Sequence, residues 1–560
     1  MGTKHLARQA ERPLELHGDG DSLFFEDRWY TRGWMADQAA RFGAGLTGLG
    51  VRPGDRVVVL MANCPEVLVT YNGAWRAGAV VTPLIFLVSE DELRHALADS
   101  GAVAVVTTPE FLAKVQSAAR GVDSVRFIVA AGAAEGPADD GSAAQGSAAQ
   151  GSAAEGSGDG PGQGLPGGPR VLSFAQVAAA APGLIVDRAD DDLAALLYTG
   201  GTTGRSKGVP LTHANLFWCG SSTHQSPSAD DPESLTCTLM PLPLAHAYGL
   251  LVTCVGMHAE VPGQSILMRW FDPAGWLKLA QQHRAQRTTL VPSMIQMLLA
   301  QPLDEADLSA LVAVSSGAAP LAAETREEFE RRVPSAVVYE GYGCTESASI
   351  IASNPLGARR LGSVGLPVPG CTVQIRDDAG RVLPPGQDGE ICVHSPGVLS
   401  GYWQAPDATA AALRDGWLYT GDIGHLDADG YLYVVDRKKD LILRGGFNVY
   451  PRDVEDVLLT HPAVAQAAVV GRPDPRLGEE VAAFVALRPG ATATPAELVA
   501  HAKARLAATK YPREVRIVAA IPLTSVGKLD RKRLRTQVRE EGQVRAEGPV
   551  RAEGATTTGS

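Results

Sequence analysis

The sequence predicts an α/β protein with a large N-terminal part and a smaller C-terminal one, and three observations carry that prediction. Strand-like apolar runs alternate with helix-like stretches, as in parallel sheets covered by helices on both faces. The chain has 560 residues, too many for one compact core. A charged cluster, Asp436-Arg437-Lys438-Lys439-Asp440, separates a strand-like run at 431–435 from a second α/β stretch of about 100 residues, a size that folds alone.

In chain order, residues 34–49 carry apolar side chains near helical spacing. The turn Pro53-Gly54-Asp55 leads into Arg56-Val57-Val58-Val59-Leu60, a short buried strand. A helix through Tyr71 and Trp75 ends at Gly78, and Ala79-Val80-Val81-Thr82 reads as the next strand. Helix 90–98 and strand 102–106 continue the alternation. Between 131 and 170 the residues become Gly, Ala, Ser, Gln and Pro, with a short near-repeat at 141–155. With almost no large apolar side chain the segment cannot offset its ordering entropy, so a flexible insertion is expected. The α/β pattern then resumes. The expected division is residues 1–436, a hinge at 437–440, a mobile C-terminal domain at 441–540 and a disordered tail at 541–560.

Composition narrows the function classes. The formal charge of −12 argues against nucleic acid as a partner. Seven cysteines (Cys64, Cys219, Cys237, Cys254, Cys344, Cys371, Cys392) are scattered and form no C-x-x-C pair, which indicates neither a disulfide framework nor a zinc site. No segment approaches a membrane span, and polar residues follow Met1, so a cytoplasmic location is expected.

The stretch that organises the chemistry is Tyr198-Thr199-Gly200-Gly201-Thr202-Thr203-Gly204-Arg205-Ser206-Lys207-Gly208. It follows the apolar run 193–197 and precedes Thr212, a candidate helix cap, so the glycines are expected in a strand-to-helix loop. Glycines let backbone N–H groups point into one concavity, threonines add hydroxyl donors, and Lys207 adds a positive charge. Together they make a polyphosphate cradle. The residue order is not that of a Walker loop.

Further stretches point the same way. Glu340-Gly341-Tyr342-Gly343-Cys344-Thr345-Glu346 offers an aromatic face, a hydroxyl and carboxylates after a strand. Tyr419-Thr420-Gly421-Asp422 sets a carboxylate just after an expected tight turn, and Thr524-Ser525-Val526-Gly527-Lys528 ends in a lysine on a glycine-containing loop. Ser315-Ser316-Gly317-Ala318-Ala319-Pro320 and Pro243-Leu244-Ala245-His246-Ala247-Tyr248 complete the set.

Taken together, over roughly residues 20–535, these stretches resemble the motifs of the adenylate-forming superfamily, and most closely those of the fatty-acid–CoA ligase-like acyl-CoA synthetases. The resemblance implies that a carboxylic acid is activated with ATP and Mg²⁺ to acyl-AMP and then joined to coenzyme A. It implies that Thr199, Gly200, Gly201, Thr202, Thr203, Gly204 and Lys207 hold the phosphates, with Thr202 and Glu346 at the metal. Gly317, Ala318, Glu340, Gly341, Tyr342, Gly343 and Thr345 are implied at the nucleotide, and Asp422 and Arg437 at its ribose. His246, Tyr248, Gly341 and Cys344 are implied at the acyl substrate. Lys528, with Glu346 and His246, is implied in catalysis. Lys439 is implied as the pivot that later brings Gly445 and Gly446 to the pantetheine thiol. Leu443, where hydroxycinnamate ligases usually carry lysine, favours a fatty acid over an aryl or hydroxycinnamic one. Alternatives are an acyl-AMP ligase loading a carrier-protein pantetheine arm, and a non-catalytic adenylate binder, against which Lys528 argues.

Overall fold

A computed structural model describes residues 2–132, 168–199, 206–226, 235–523 and 529–546. Four sheets organise the described residues. The first has seven strands in the order Arg170–Ser173, Phe127–Ala130, Ala104–Thr107, Arg56–Leu60, Val80–Pro83, Leu193–Thr199 and Lys207–Thr212. All its pairings are parallel except the last, which is antiparallel. Its central strands are buried on both faces, which is why 56–60 and 102–106 read as continuous apolar runs rather than alternating ones.

That last pairing corrects the strand-to-helix expectation. Thr199 pairs directly with Lys207, so residues 200–206 connect two strands, and the helix begins only at His213. Lys207–Thr212 lies at the sheet edge, where Pro210 is tolerated because its missing N–H interrupts no further neighbour. Thr212 does cap the helix, accepting the N–H of Asn215.

The second sheet has nine strands, with Gln264–Leu267, Cys237–Met240, Arg287–Leu290, Ala313–Ser316 and Val337–Tyr342 parallel at its centre. Buried Asn63 ties it to the first sheet. Its side-chain amide donates to the carbonyls of Leu242 (2.8 Å) and Met268 (2.9 Å) and accepts from the N–H of Leu244 (2.8 Å). Tyr71 adds a bond from its hydroxyl to the Leu244 carbonyl (3.0 Å). A polar side chain in a core is stable only when its groups are paired, and here the pairing fixes the loop that leads to His246.

A smaller antiparallel sheet, Thr372–Arg376 through Leu432–Arg437, completes the large N-terminal domain. Within it Asp422 lies inside the strand Trp417–Leu426, not after a tight turn as the sequence predicts. Gly421 has φ +73°, a backbone state open mainly to glycine, and a register shift follows at Ile423/Gly424. The glycine therefore marks an irregularity in a continuous strand.

The short 3₁₀ turn Lys438–Asp440 joins this domain to the small C-terminal one, a five-stranded sheet whose long hairpin is Val464–Asp474 and Gly478–Leu487. Leu534 and Val538 of the helix Arg531–Ala546 pack on one face of that sheet, beside Ala468, Val470 and Phe484. The helix continues past position 540, where the sequence predicts a tail to begin. Residues 547–560 and 133–167, which hold most of the expected tail and insertion, lie outside the described residues.

Candidate active site

Strands of both large sheets reach one cleft of about 1760 Å³, Val80–Pro83 and Leu193–Thr199 from the first and Arg287–Leu290, Ala313–Ser316 and Val337–Tyr342 from the second. Ligands commonly bind outside the carboxyl ends of such strands. Thr199, Ser206 and Lys207 line it from the first sheet; Gly317, Ala318, Glu340, Gly341, Tyr342, Gly343, Cys344, Thr345 and Glu346 line it from the second. Asp422, Arg437 and Lys439 close it from the third side.

At its centre Tyr342 donates from its hydroxyl to Asp422 Oδ2 (2.6 Å), and Arg437 Nε lies 3.2 Å from Asp422 Oδ1. Asp422 and Arg437 are register partners on adjacent strands, so the ion pair is built into the pairing. Burial and the Asp422 charge push the Tyr342 phenol above its usual value, and it stays a donor. The Asp422 charge in turn raises Arg437. Asp422 is buried and keeps lone pairs for a vicinal diol.

A second cluster lies around Tyr402, which the sequence reading did not single out. Its hydroxyl donates to Glu346 Oε1 (2.9 Å), and the Lys207 ammonium lies 5.1 Å from the centre of its ring. One side chain thus joins the flank of the glycine-threonine loop to the carboxylate of the Tyr342 motif. Nearby, Tyr198 donates to Asp99 Oδ2 (2.6 Å), while Trp403 donates to the Asp99 carbonyl (3.0 Å). The signal in sequence was the aromatic pair Tyr402-Trp403 after Gly401, too short to read without its spatial partners.

Backbone close to the cleft is tightly held. A Cβ on Gly343 would come within 2.2 Å of the Ser349 carbonyl oxygen, so only glycine fits. Ala318 adopts φ +68° at the end of its strand, a strained state for a residue with a side chain. Burial raises the Glu340 carboxyl, against the pull of Arg452 and Arg326. It likewise raises the Cys344 thiol, so that residue enters the cleft as an uncharged group.

His246 caps the helix Ala247–Gly256 by accepting the N–H of Tyr248 at Nδ1 (3.3 Å), and both residues line the cleft. Gly445 and Gly446 are elsewhere. They form the two-residue turn between Ile442–Arg444 and Phe447–Val449, with φ +58° and +82°, and do not line the cleft. Gly200, Gly201, Thr202, Thr203, Gly204 and Lys528 lie outside the described residues. Leu523 and Leu529, which bracket Lys528 in sequence, bridge each other and line the cleft.

Two family models match the chain: AMP-binding enzyme over residues 9–403 and the AMP-binding enzyme C-terminal domain over 453–528. The chain belongs to the AMP-binding enzyme family, within the adenylate-forming superfamily. It is an AMP-forming acid–CoA ligase. A feruloyl-CoA synthase of Amycolatopsis sp is 36% identical over 93% of this chain and 95% of its own length. A long-chain-fatty-acid–CoA ligase of Bacillus subtilis is 34% identical over 93% of this chain and 91% of its own. Among solved structures, the anthranilate CoA ligase AuaEII in complex with anthranoyl-AMP superposes with a TM-score of 0.85 at 26% identity, covering 96% of this chain and 98% of its own.

Proposed function

We propose that the protein activates a medium- or long-chain fatty acid with Mg-ATP and transfers the acyl group to coenzyme A. In the first step a carboxylate oxygen of the acid bonds to the α-phosphorus of ATP and the bond to pyrophosphate breaks. In the second the CoA thiolate bonds to the acyl carbon and AMP leaves. Catalysis of this kind is mainly positioning and charge neutralisation. The observation that carries the reading is the convergence of Tyr342, Asp422 and Arg437 with Lys207, Tyr402 and Glu346 on one cleft.

In this assignment Asp422 accepts from the ribose hydroxyls with Arg437 beside it, and the Tyr342 ring faces adenine. Gly317, Ala318, Glu340, Gly341, Gly343 and Thr345 complete the nucleotide wall, while Thr199 to Lys207 receive the leaving phosphates. His246, Tyr248, Gly341 and Cys344 border the acid. Lys528 neutralises the charge that builds on the carboxylate and α-phosphate. Residues 437–440 are assigned as the hinge about which residues 441–540 turn, Lys439 at its pivot, to present Gly445 and Gly446 to the thiol, and the short joining turn Lys438–Asp440 supports it.

Glu346 and Thr202 are assigned to Mg²⁺. No cluster of three His, Cys, Asp or Glu that could hold a metal exists among the described residues. Glu346 lines the cleft with one carboxylate, and Mg²⁺ takes one or two protein carboxylates and completes its shell with water and substrate phosphates. When bound, it neutralises phosphate charge. A cytoplasmic location fits the seven free cysteines, and no described helix is long and apolar enough to cross a membrane.

Activation of an aryl or hydroxycinnamic acid is the second reading, favoured by the likeness to a feruloyl-CoA synthase at 36% identity. The deciding experiment is pyrophosphate release over fatty, aromatic and amino acids, with and without CoA. Turnover with fatty acids that requires CoA is expected. Faster turnover of hydroxycinnamic acids would select the second reading, and release with no acid dependence would defeat both.

A further inference from the structure

The helix Pro65–Arg76 turns one face to the cleft: Leu68, Tyr71, Asn72 and Trp75, at the spacing i, i+3, i+4 and i+7, all line it. The helices Leu6–His17 and Arg32–Gly48 pack against this one and bring Leu14 and Met35 to the same cleft. Leu251 reaches it from the helix Ala247–Gly256. These side chains are hydrocarbon or aromatic, and the polar atoms of the two aromatic ones are paired. Tyr71 donates to the Leu244 carbonyl, and the Trp75 indole N–H donates to the Ala194 carbonyl (2.9 Å). Asn72 is different. It is only 9% exposed, and no group of the described residues donates to its Oδ1.

Asparagine is a poor residue for a helix interior, and a buried amide oxygen without a donor opposes folding. Leucine, as at Leu68 one turn earlier, would suit both the helix and its apolar face. Thr70 on the same helix also has an unpaired buried hydroxyl, but it does not line the cleft. Both conditions meet at Ser316, beside Gly317 of the nucleotide wall, and at Asn72, on a wall of hydrocarbon. A carboxamide donates and accepts, and so does a hydroxyl. A carboxylate or ketone brings only lone pairs and would leave Oδ1 unpaired, while an ammonium would carry a charge into apolar surroundings. The complementary group is therefore a hydroxyl.

We propose that the Asn72 carboxamide selects for a hydroxyl on the carbon frame of the acid, away from the carboxylate that reacts. This rests on the acid-activating reading above and narrows its substrate to a hydroxylated acid. The hydroxyl belongs to a hydroxy fatty acid or to a hydroxycinnamic one, and a site that bonds it rejects the unsubstituted parent because the amide is then left unpaired.

The test is kcat/KM for pyrophosphate release by the full-length enzyme, with saturating Mg-ATP and CoA, on two matched sets. One is octanoic acid with its mid-chain and ω-hydroxy derivatives, the other cinnamic acid with its meta- and para-hydroxy derivatives. In at least one set a hydroxylated acid is expected to exceed its parent at least tenfold, and that set identifies the carbon frame. Asn72→Leu, close to asparagine in size, should reduce the ratio at least tenfold. It should also leave the thermal midpoint of the ligand-free enzyme at or above wild type, because it removes an unpaired amide from the interior. A merely structural disturbance would lower both members of a pair and leave their ratio where it was. Parents turned over as well as every hydroxylated derivative overturn the proposal without any variant, as does a ratio unmoved by Asn72→Leu. A midpoint lowered by more than a few degrees would mean that the amide is paired within the fold, and overturns it too. Failure with every acid defeats the acid-activating reading itself, and this inference falls with it.

Discussion

Lys439 is held below the ordinary lysine range. Burial and the neighbouring Arg437 guanidinium lower its pKa to about 8. Lys438 beside it moves the other way, raised by its hydrogen bonds to Asp378 and Glu390. Amine acylation followed by mass spectrometry over pH 6–11 is therefore expected to give a midpoint at about 8 for Lys439, with Lys438 labelled only at much higher pH. A common midpoint for the two would refute the difference in surroundings. The sign for stability follows from linkage. The folded value lies below the unfolded one, so the unfolded chain binds more protons between about 8 and 10.4, and stability rises with pH across that window. Lys528 leads to a different prediction, because its proposed charge acts in the transition state. Lys528→Ala should lower pyrophosphate release by at least ~10³-fold while ATP affinity stays within about tenfold. Unchanged release would remove it from the mechanism.

At the scale of elements, the segment after the strand Val337–Tyr342 depends on a close backbone crossing. Since Gly343 has no room for a Cβ against the Ser349 carbonyl, Gly343→Ala must displace either Tyr342 or the Ser349 segment. The expected cost is about 2 kcal/mol of stability, read as a lowered thermal midpoint. A loss in kcat/KM for ATP of about tenfold or more should accompany it, since Tyr342 and Glu346 flank the glycine. Wild-type values for both would show that the crossing relaxes without consequence. The edge hairpin taught a related lesson. The sequence predicts a strand-to-helix loop before Thr212, yet residues 207–212 pair with Leu193–Thr199, and at the sheet edge the missing N–H of Pro210 interrupts nothing. Gly421 likewise signalled a turn but sits inside a strand, since a left-handed glycine serves a strand irregularity as well as it serves a corner.

For the whole molecule, the segment at 131–170 offers a direct test of how much the sheet needs its connections. The strands on either side, Phe127–Ala130 and Arg170–Ser173, pair in parallel, with Ala130 opposite Ser173. Closing a shorter loop changes the entropy only logarithmically. Deleting residues 141–155 is expected to leave acid-dependent pyrophosphate release within about twofold and the thermal midpoint within a few degrees. A collapse of turnover would show that the segment takes part in the reaction.

The sequence by itself determined the alternation of strands and helices, the glycine-threonine stretch, the Tyr342–Glu346 motif and Asp422, because each is a local pattern whose chemistry is set by neighbouring residues. Tertiary structure alone decided that Tyr342 bonds Asp422 80 residues away, and that Tyr402 connects Lys207 with Glu346. It also decided that Asn63 joins two sheets. Such roles depend on which surfaces meet once cores are packed. A polar or aromatic side chain carries no mark in its own stretch of chain of the partner it will reach across the fold.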